Sequence, residues 1–195
     1  MKESLTDKVY CGLIKHILNM DYNVNELLCE QAVADKYHVS KTPAREALNR
    51  LCLEGFVVRY PSTGYFIKAM SVQECNDIFE TRAILECGGI HAAVGHVTHE
   101  DLADLREIIS HPYSSYSEYH EINAAFHIRL AETARNGCLK DMVAKLINMS
   151  ARPSPFTVYN PERPPTNRWH EAIIAALEAK DSEAACAALY EDIRI

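Results

Sequence analysis

Apolar residues recur at helical spacing along most of this chain. Near its start, Val9, Leu13 and Ile17 fall on one face, which predicts a first helix over residues 5–20. A second, shorter helix is expected over residues 28–36. The chain therefore opens with two consecutive helices.

The next apolar stripe belongs to a helix that also carries basic residues. Ala44 and Leu48 share its inner face, and we expect Thr42 to be the N-cap because Pro43 suits the first helical position. Gly55 is the expected stop. Taken alone, an ordinary amphipathic helix with a solvated basic face would explain this segment.

Two runs rich in β-branched and aromatic residues follow the basic helix. Residues 56–60 and 65–68 flank a Pro/Gly turn at residues 61–64, which predicts a β-hairpin. Three helices followed by a hairpin is the element order of a winged helix-turn-helix. We therefore expect residues 1–70 to form one domain.

Beyond residue 70 the pattern is helical throughout, which predicts an all-α bundle over residues 71–195. Ser71 and Glu74 have the spacing of a capping box and should begin its first helix. Residues 152–165 contain five of the eight prolines and should form a loop. Further helices are predicted over residues 98–111, 117–135, 139–150, 167–179 and 182–194.

The charge is unevenly distributed between these two parts. Residues 1–70 carry nine Lys/Arg against eight Asp/Glu, whereas residues 71–195 carry eleven against nineteen, giving a net charge of −7. Residues 1–70 are thus nearly neutral with a local basic cluster, and residues 71–195 are acidic. This distribution is compatible with phosphate binding by the first part. The seven scattered cysteines include no C-x-x-C pair, which is typical of reduced thiols in a cytoplasmic protein. No apolar run approaches the ~20 residues of a membrane helix, so no membrane partner is expected.

Several predicted helices of the bundle place a polar residue on their apolar stripe. Asn123 and His127 lie one turn apart on one such face, and His170, Asp192 and Arg82 each lie on another. Any one of them alone would be explained as a buried polar residue that is hydrogen-bonded to a neighbouring side chain. Together they suggest a metal site, because bundles build such sites from an i, i+4 pair and donors on other helices. These donors suit Zn²⁺, Ni²⁺, Mn²⁺ or Fe²⁺.

The basic helix also carries a specific resemblance. The run V-S-K-T-P-A-R-E-A-L at residues 39–48, followed by Glu54-Gly55, resembles the DNA-binding domain of the GntR superfamily of bacterial transcription regulators. The resemblance implies DNA contacts from the second helix, the basic helix and the wing. The residues so implied, including candidate phosphate contacts, are Gln31, Ser40, Lys41, Thr42, Arg45, Arg50 and Gly64.

The helical part resembles the effector domain of the FadR subgroup, the FCD domain, in its short VanR-like form. The motifs that carry this resemblance are Arg82-x-x-x-Glu86, Asn123-x-x-Phe-His127, Asn136-Gly-Cys-Leu139 and His170-x-x-Ile-x-x-Ala-x-x-x-x-Asp181. The resemblance implies metal ligands at Asn123, His127, His170 and Asp192. Two of these depart from the commoner pattern, with Asn in place of Asp at the first position and Asp in place of His at the last.

Together the two resemblances imply a regulator that binds a palindromic, double-stranded operator as a homodimer. The implied effector is a small carboxylate, with Arg82 as its counter-ion. Arg129 lies off the apolar stripe and is expected to pair with Glu132 instead. Two alternatives stay open: the same DNA-binding head with a metal-free pocket, and a metalloenzyme. Against an enzyme, the chain has no H-E-x-x-H, nucleophile elbow or phosphate loop.

Overall fold

The computed structural model describes residues 4–153 and 166–193. The described chain divides into two compact units. The first comprises residues 4–72 and 151–153, and the second comprises residues 73–150 and 166–193. The predicted proline-rich loop falls mostly at 154–165, outside the described residues.

The first unit is a winged helix-turn-helix, as predicted. Its small sheet is antiparallel with strand order β1-β3-β2. Strand β1 was not predicted, because two residues are too short to show an alternating pattern. The elements are α1 (Leu5–Leu18), β1 (Leu27–Leu28), α2 (Glu30–Tyr37), α3 (Lys41–Leu53), β2 (Val57–Tyr60) and β3 (Gly64–Ile67).

The start of α3 differs from the prediction. Ser40, with an extended backbone, is the N-cap residue, so the expectation that Thr42 caps the helix was wrong. Pro43 is the third helical residue rather than the first. It is tolerated there because the first four N–H groups of a helix have no acceptor within the helix.

The core of the first unit forms around α3, which packs on α1, on α2 and on strand β2. Leu13, Leu48, Leu51 and Tyr65 are all buried to 1% exposure or less. Because the apolar face of α3 is buried in this core, the opposite face of the helix is exposed. The polar residues of the first turns of α3 therefore point to solvent.

The second unit contains helices and no strand within the residues that the structure describes. Its helix α7 begins at Gly137, two residues earlier than predicted, because the Asn136 side chain accepts a hydrogen bond from the Leu139 N–H and caps the helix. The helices are α4 (Val72–Ala93), α5 (His99–Ser110), α6 (Tyr116–Thr133), α7 (Gly137–Ser150), α8 (Arg168–Glu178) and α9 (Ser182–Ile193).

Large apolar side chains from four helices fill the core of the second unit. Leu105, Phe126, Ile173, Leu177 and Leu189 are completely buried. Over the described ranges, none of the helices combines the length and apolar composition that a membrane crossing needs. The mostly α fold class predicted from the sequence, a winged helix-turn-helix followed by a helical bundle, is thus confirmed.

Candidate functional sites

The first candidate site is the solvent-facing start of α3. Ser40, Lys41, Thr42 and Arg45 are all exposed there, while the apolar face of the same helix is buried. The predicted DNA contacts of this helix thus share one accessible surface. A helix that presents Lys, Thr and Arg near its N-terminus suits the major groove, where such side chains reach guanine edges and phosphates.

Two of the predicted DNA contacts, Arg45 and Gln31, already have carboxylate partners on α2. The Arg45 guanidinium donates from Nε and Nη2 to Glu30, at 2.8–3.0 Å. Gln31 donates to Asp35, four residues further along its helix, at 2.7 Å. The hydrogen bond from Arg45 lowers the pKa of Glu30, so this carboxyl group is ionised at neutral pH.

Arg50 lies in a different environment from Arg45. Its guanidinium stacks on the ring of Tyr10 in α1, 3.7 Å from the ring centre, and donates to Glu54 at 3.1 Å. A longer contact of 3.4 Å joins it to Asp7. The predicted phosphate contact of Arg50 would require it to leave these intramolecular partners.

Gly64, predicted as a wing contact, has a clear backbone role. Its φ of +139° lies in the region that favours glycine, and a Cβ there would approach the Leu28 carbonyl oxygen to 3.0 Å. Sequence reasoning missed Arg59, an exposed residue of β2 whose guanidinium lies 5.7 Å from the Tyr65 ring centre. Strand alternation places Arg59 on the same face as the buried Val57, so the sequence pattern gave no sign that Arg59 is exposed.

The second candidate site is a buried cluster in the helical unit, formed by the four predicted metal ligands. His127 Nε2 lies 2.9 Å and His170 Nε2 3.3 Å from Asp192 Oδ2. Asn123 Oδ1 lies 3.1 Å from His170 Nε2. Both imidazoles are fully buried. Helices α6, α8 and α9 therefore bring these four side chains together.

The opposite ring nitrogen of each histidine has its own partner. Glu86 Oε2 lies 2.6 Å from His127 Nδ1, and Asn167 Oδ1 lies 3.3 Å from His170 Nδ1. Such bonds fix the ring orientation and leave Nε2 to face the cluster, as is usual around metal-binding histidines. Glu86 belongs to the Arg82-x-x-x-Glu86 motif, but no role for it was predicted from the sequence.

The donor set fits a divalent cation. The ligand atoms of His127, His170 and Asp192 all lie within 4.8 Å of one another. Bonds of about 2.0–2.1 Å at tetrahedral angles would place neighbouring donors roughly 3.3 Å apart, close to the observed separations. Two imidazole nitrogens with carboxylate and amide oxygens form an ordinary ligand set for the metals predicted from the sequence.

The charges in this cluster are strongly coupled. Burial alone would lower the pKa of His127, but the carboxylates of Glu86 and Asp192 overcome that effect and raise it. Burial would likewise raise the pKa of Asp192, yet hydrogen bonds from His127 and His170 hold it well below its usual range. The pKa of Glu86 is likewise lowered, so both carboxylates are ionised, and their negative charges favour the protonated form of His127.

A cavity of about 170 Å³ adjoins the cluster and is lined by residues of the second unit, including Arg82, Asn123, His127 and Asp192. Arg82 is 3% exposed and donates from Nε to Glu86 at 2.8 Å. Among the described residues, nothing accepts a hydrogen bond from its buried Nη2. Unpaired buried donors are costly, so this one marks a place for an anionic acceptor.

Aromatic and histidine side chains complete the cavity wall, among them Phe79, Tyr116, Tyr119 and His120. Burial, followed by the nearby charge of Arg82, lowers the pKa of His120 to about 4. The imidazole of His120 is therefore neutral at physiological pH. The positive charge of the wall comes chiefly from Arg82.

Arg129 does not pair chiefly with Glu132, as the sequence suggested, because the nearest contact between them is 3.9 Å. It donates instead to Asp101 at 2.6 Å and to Asp104 at 2.8 Å. Asp101 also accepts from Arg135 at 2.7 Å. Helical spacing missed these partners because they lie on α5. Arg129 is thus part of a structural ion network.

An exposed basic helix within a winged helix-turn-helix, joined to an all-helical second unit, is the arrangement of a DNA-binding transcription regulator. Comparison with known families agrees. Residues 5–67 match the gntR family of bacterial regulatory proteins, and residues 77–194 match the FCD domain. The chain therefore belongs to the GntR family and carries an FCD domain, as the resemblances predicted. This is a family of transcription regulators and not of enzymes, which removes the metalloenzyme alternative.

Individual relatives give the same assignment. The chain is 31% identical to the Nta operon transcriptional regulator of Aminobacter aminovorans over 59% of its own length and 57% of that protein. It is 27% identical to the HTH-type transcriptional regulator YcbG of Bacillus subtilis, covering 87% of this chain and 78% of the other. The solved structure of E. coli McbR/YncC matches with a TM-score of 0.77 at 24% identity, covering 98% of this chain and 94% of the other.

Proposed function

We propose that this chain is a cytoplasmic, homodimeric regulator that binds a palindromic operator and changes its DNA affinity when a small carboxylate enters the helical unit. One recognition helix from each subunit would enter a major groove, contacting DNA through Lys41, Thr42 and Arg45. A ligand shifts such an equilibrium only through its different affinity for the two states. A site built from several helices is suited to that task.

The observation that carries the effector proposal is the unpaired Nη2 of Arg82 beside the cavity. A carboxylate is the acceptor that best matches a guanidinium, because its two oxygens accept parallel N–H bonds. A cavity of about 170 Å³ also limits the size of the ligand. Hydrocarbon cavities of about 150 Å³ bind benzene, so an acid of similar size would fit.

We propose that Asn123, His127, His170 and Asp192 hold a divalent metal ion at the edge of this cavity. A bound cation would supply a positive charge to which a carboxylate oxygen binds directly. Glu86 holds His127, and Arg82, which donates to Glu86, lies within reach of the same ligand. These residues would orient the acid, bind its charge and keep water from the site.

A second candidate is a metal-free pocket, and a specific observation favours it. Each Nε2 of the two histidines already has an oxygen partner, at 2.9 Å for His127 to Asp192 and at 3.1 Å for His170 to Asn123. A protonated His127 between Glu86 and Asp192 would be an ion cluster with every member paired. In that case Arg82 alone would provide the positive charge for the effector.

The effector proposal is tested by thermal melting of the full-length protein with lactate, malonate and benzoate, each beside its neutral amide. We expect at least one acid to raise the melting temperature while its amide does not, because ligands that bind the native state stabilise it. Arg82→Met should abolish the shift, with circular dichroism confirming its fold. Equal shifts by acid and amide, or a shift that survives Arg82→Met, would overturn the assignment of Arg82.

The DNA-binding proposal is tested by selecting duplexes from a randomised library of about 20 base pairs, a span of two half-sites one helical turn apart. The wild-type chain should enrich a palindrome, and Arg45→Ala should lose specific binding while its melting temperature stays unchanged. Failure to enrich any sequence would contradict this proposal.

A further inference from the structure

Glu30 lies beside the predicted DNA-reading surface, because its carboxylate accepts hydrogen bonds from Arg45 of α3. It is the first residue of α2, where the helix dipole favours a negative charge. Its side chain is 23% exposed, whereas that of Arg45 is 54% exposed. The carboxylate is thus held by its own helix, and the longer arginine reaches across to it from α3.

The geometry of this ion pair leaves half of the guanidinium free. An arginine has five N–H donors, one on Nε and two on each Nη. Glu30 occupies the edge formed by Nε and Nη2, at 2.8–3.0 Å. The edge formed by Nη1 and the second N–H of Nη2 remains for another acceptor. A planar guanidinium can therefore donate to Glu30 and to a second acceptor at the same time without rotating.

We infer that Glu30 is a positioning residue for DNA recognition, which fixes Arg45 by one edge so that the adjacent edge makes a bidentate contact with guanine. This inference rests on the proposed DNA-binding function. A free arginine loses rotamer entropy when it binds, and an arginine already held in place loses less. The same negative charge repels phosphates, so Glu30 should weaken binding to DNA that offers Arg45 no guanine partner.

The direction in which DNA affinity changes when Glu30 is removed distinguishes a positioning role from simple competition with phosphate for Arg45. If Glu30 only competed with phosphate for Arg45, its removal would strengthen binding to every DNA. If Glu30 positions Arg45, its removal weakens specific binding while non-specific binding strengthens. The ratio of the two affinities therefore carries the inference, and a general loss of stability would not change the two affinities in opposite directions.

The test uses the full-length protein, the duplex enriched by the wild-type chain, and mixed-sequence genomic DNA as the non-specific probe. We expect Glu30→Gln to lower the ratio of specific to non-specific affinity about tenfold, within the range lost with one bidentate base contact. Glu46→Gln is the matched control. It removes a carboxylate from α3 that accepts from Thr6 rather than from Arg45, and should leave the ratio unchanged.

A double-mutant cycle with Arg45→Ala completes the test. Because Glu30 acts through Arg45, adding Glu30→Gln to Arg45→Ala should not lower the ratio further. An unchanged or higher ratio for Glu30→Gln alone, or equal effects with and without Arg45, would overturn the inference while leaving DNA binding intact. If the wild-type chain enriches no duplex, the proposed DNA-binding function itself fails, and the inference fails with it.

Discussion

The two units of this chain carry their candidate sites in opposite ways. In the winged unit the polar residues from Ser40 to Arg45 are neighbours in sequence and lie in solvent. In the helical unit the four predicted ligands span 70 positions, from Asn123 to Asp192, and are largely buried. The first arrangement suits a polyanion that approaches from outside, and the second suits a small ligand enclosed by several helices.

This contrast predicts whether a substitution should change ligand binding alone or both binding and stability. A side chain in solvent on the winged unit is expected to affect binding without affecting the fold. A charged or polar side chain buried in the helical unit has partners that it also supports, so its loss should affect binding and stability together.

The largest expected effect on stability comes from His127→Ala. The substitution deprives the buried carboxylates of Glu86 and Asp192 of a close partner, which should lower the free energy of unfolding by about 3 kcal/mol. Chemical denaturation measures the loss. Arg45→Ala is the comparison in the winged unit, and it should leave the unfolding curve unchanged. Similar curves for both variants would contradict the contrast between the units.

Asp101→Asn should follow, with a loss of about 2 kcal/mol, because it removes the charge that Arg129 and Arg135 share while keeping a capping side chain. Burial would raise the pKa of Asp101, but bonds from Thr98 and the two arginines hold it well below its usual range. Its stabilising contribution is therefore complete above about pH 4 and is lost as the pH falls towards the native pKa.

Urea unfolding at a series of pH values checks this prediction. The variant and the wild type should differ at pH 7 and converge in strong acid. Asp104→Asn is the matched control, since Asp104 also accepts from Arg129 but is 45% exposed and should contribute less. A difference that does not change with pH would contradict the ionic role of Asp101.

Gly64→Ala tests the wing. Alanine at a φ of +139°, with its Cβ about 3 Å from β1, should cost about 1–2 kcal/mol and weaken DNA binding through the displaced wing. Gly88→Ala is the control in the helical unit. A Cβ there meets nothing within 4 Å, so the substitution should stabilise α4 by about 0.5–1 kcal/mol. A neutral result for Gly64→Ala would remove the backbone role assigned to it.

Arg59→Ala should have the smallest effect. If this exposed residue of β2 contacts a phosphate, its loss should weaken binding to all sequences similarly and lower the slope of log affinity against log salt by about 1. Fluorescence anisotropy at several salt concentrations measures the slope. An unchanged slope would exclude Arg59 from the DNA contact surface.

The sequence predicted most helices well because each has a clear apolar stripe and a recognisable cap. Thr98 with Asp101, for example, forms a capping box at the predicted start of α5. Strand β1 could not be found in this way, since its two residues are identified only by pairing with β3. The capping of α3 by Ser40 rather than Thr42 was missed because both residue types suit the N-cap position.

The ligand residues of the helical unit could be predicted because periodicity places each of them on a buried stripe. The hydrogen-bond partners of these ligand residues could not be predicted in the same way. Glu86 has the spacing of an ordinary helix pair with Arg82, and only the packing of α6 against it reveals that it also holds His127. Glu30 was likewise unassigned, because its bond to Arg45 joins two helices.

Metal binding by the buried cluster is tested directly by the metal content of untagged protein purified without chelator. The proteins compared are the wild type, His127→Ala and His120→Ala. His120 lines the same cavity on the same helix but lies outside the donor cluster. We expect near-stoichiometric metal in the wild type and in His120→Ala, and its loss in His127→Ala. Absence of metal from all three proteins would contradict metal binding and favour a metal-free pocket around Arg82, whereas its retention in His127→Ala would remove His127 from the set of ligands.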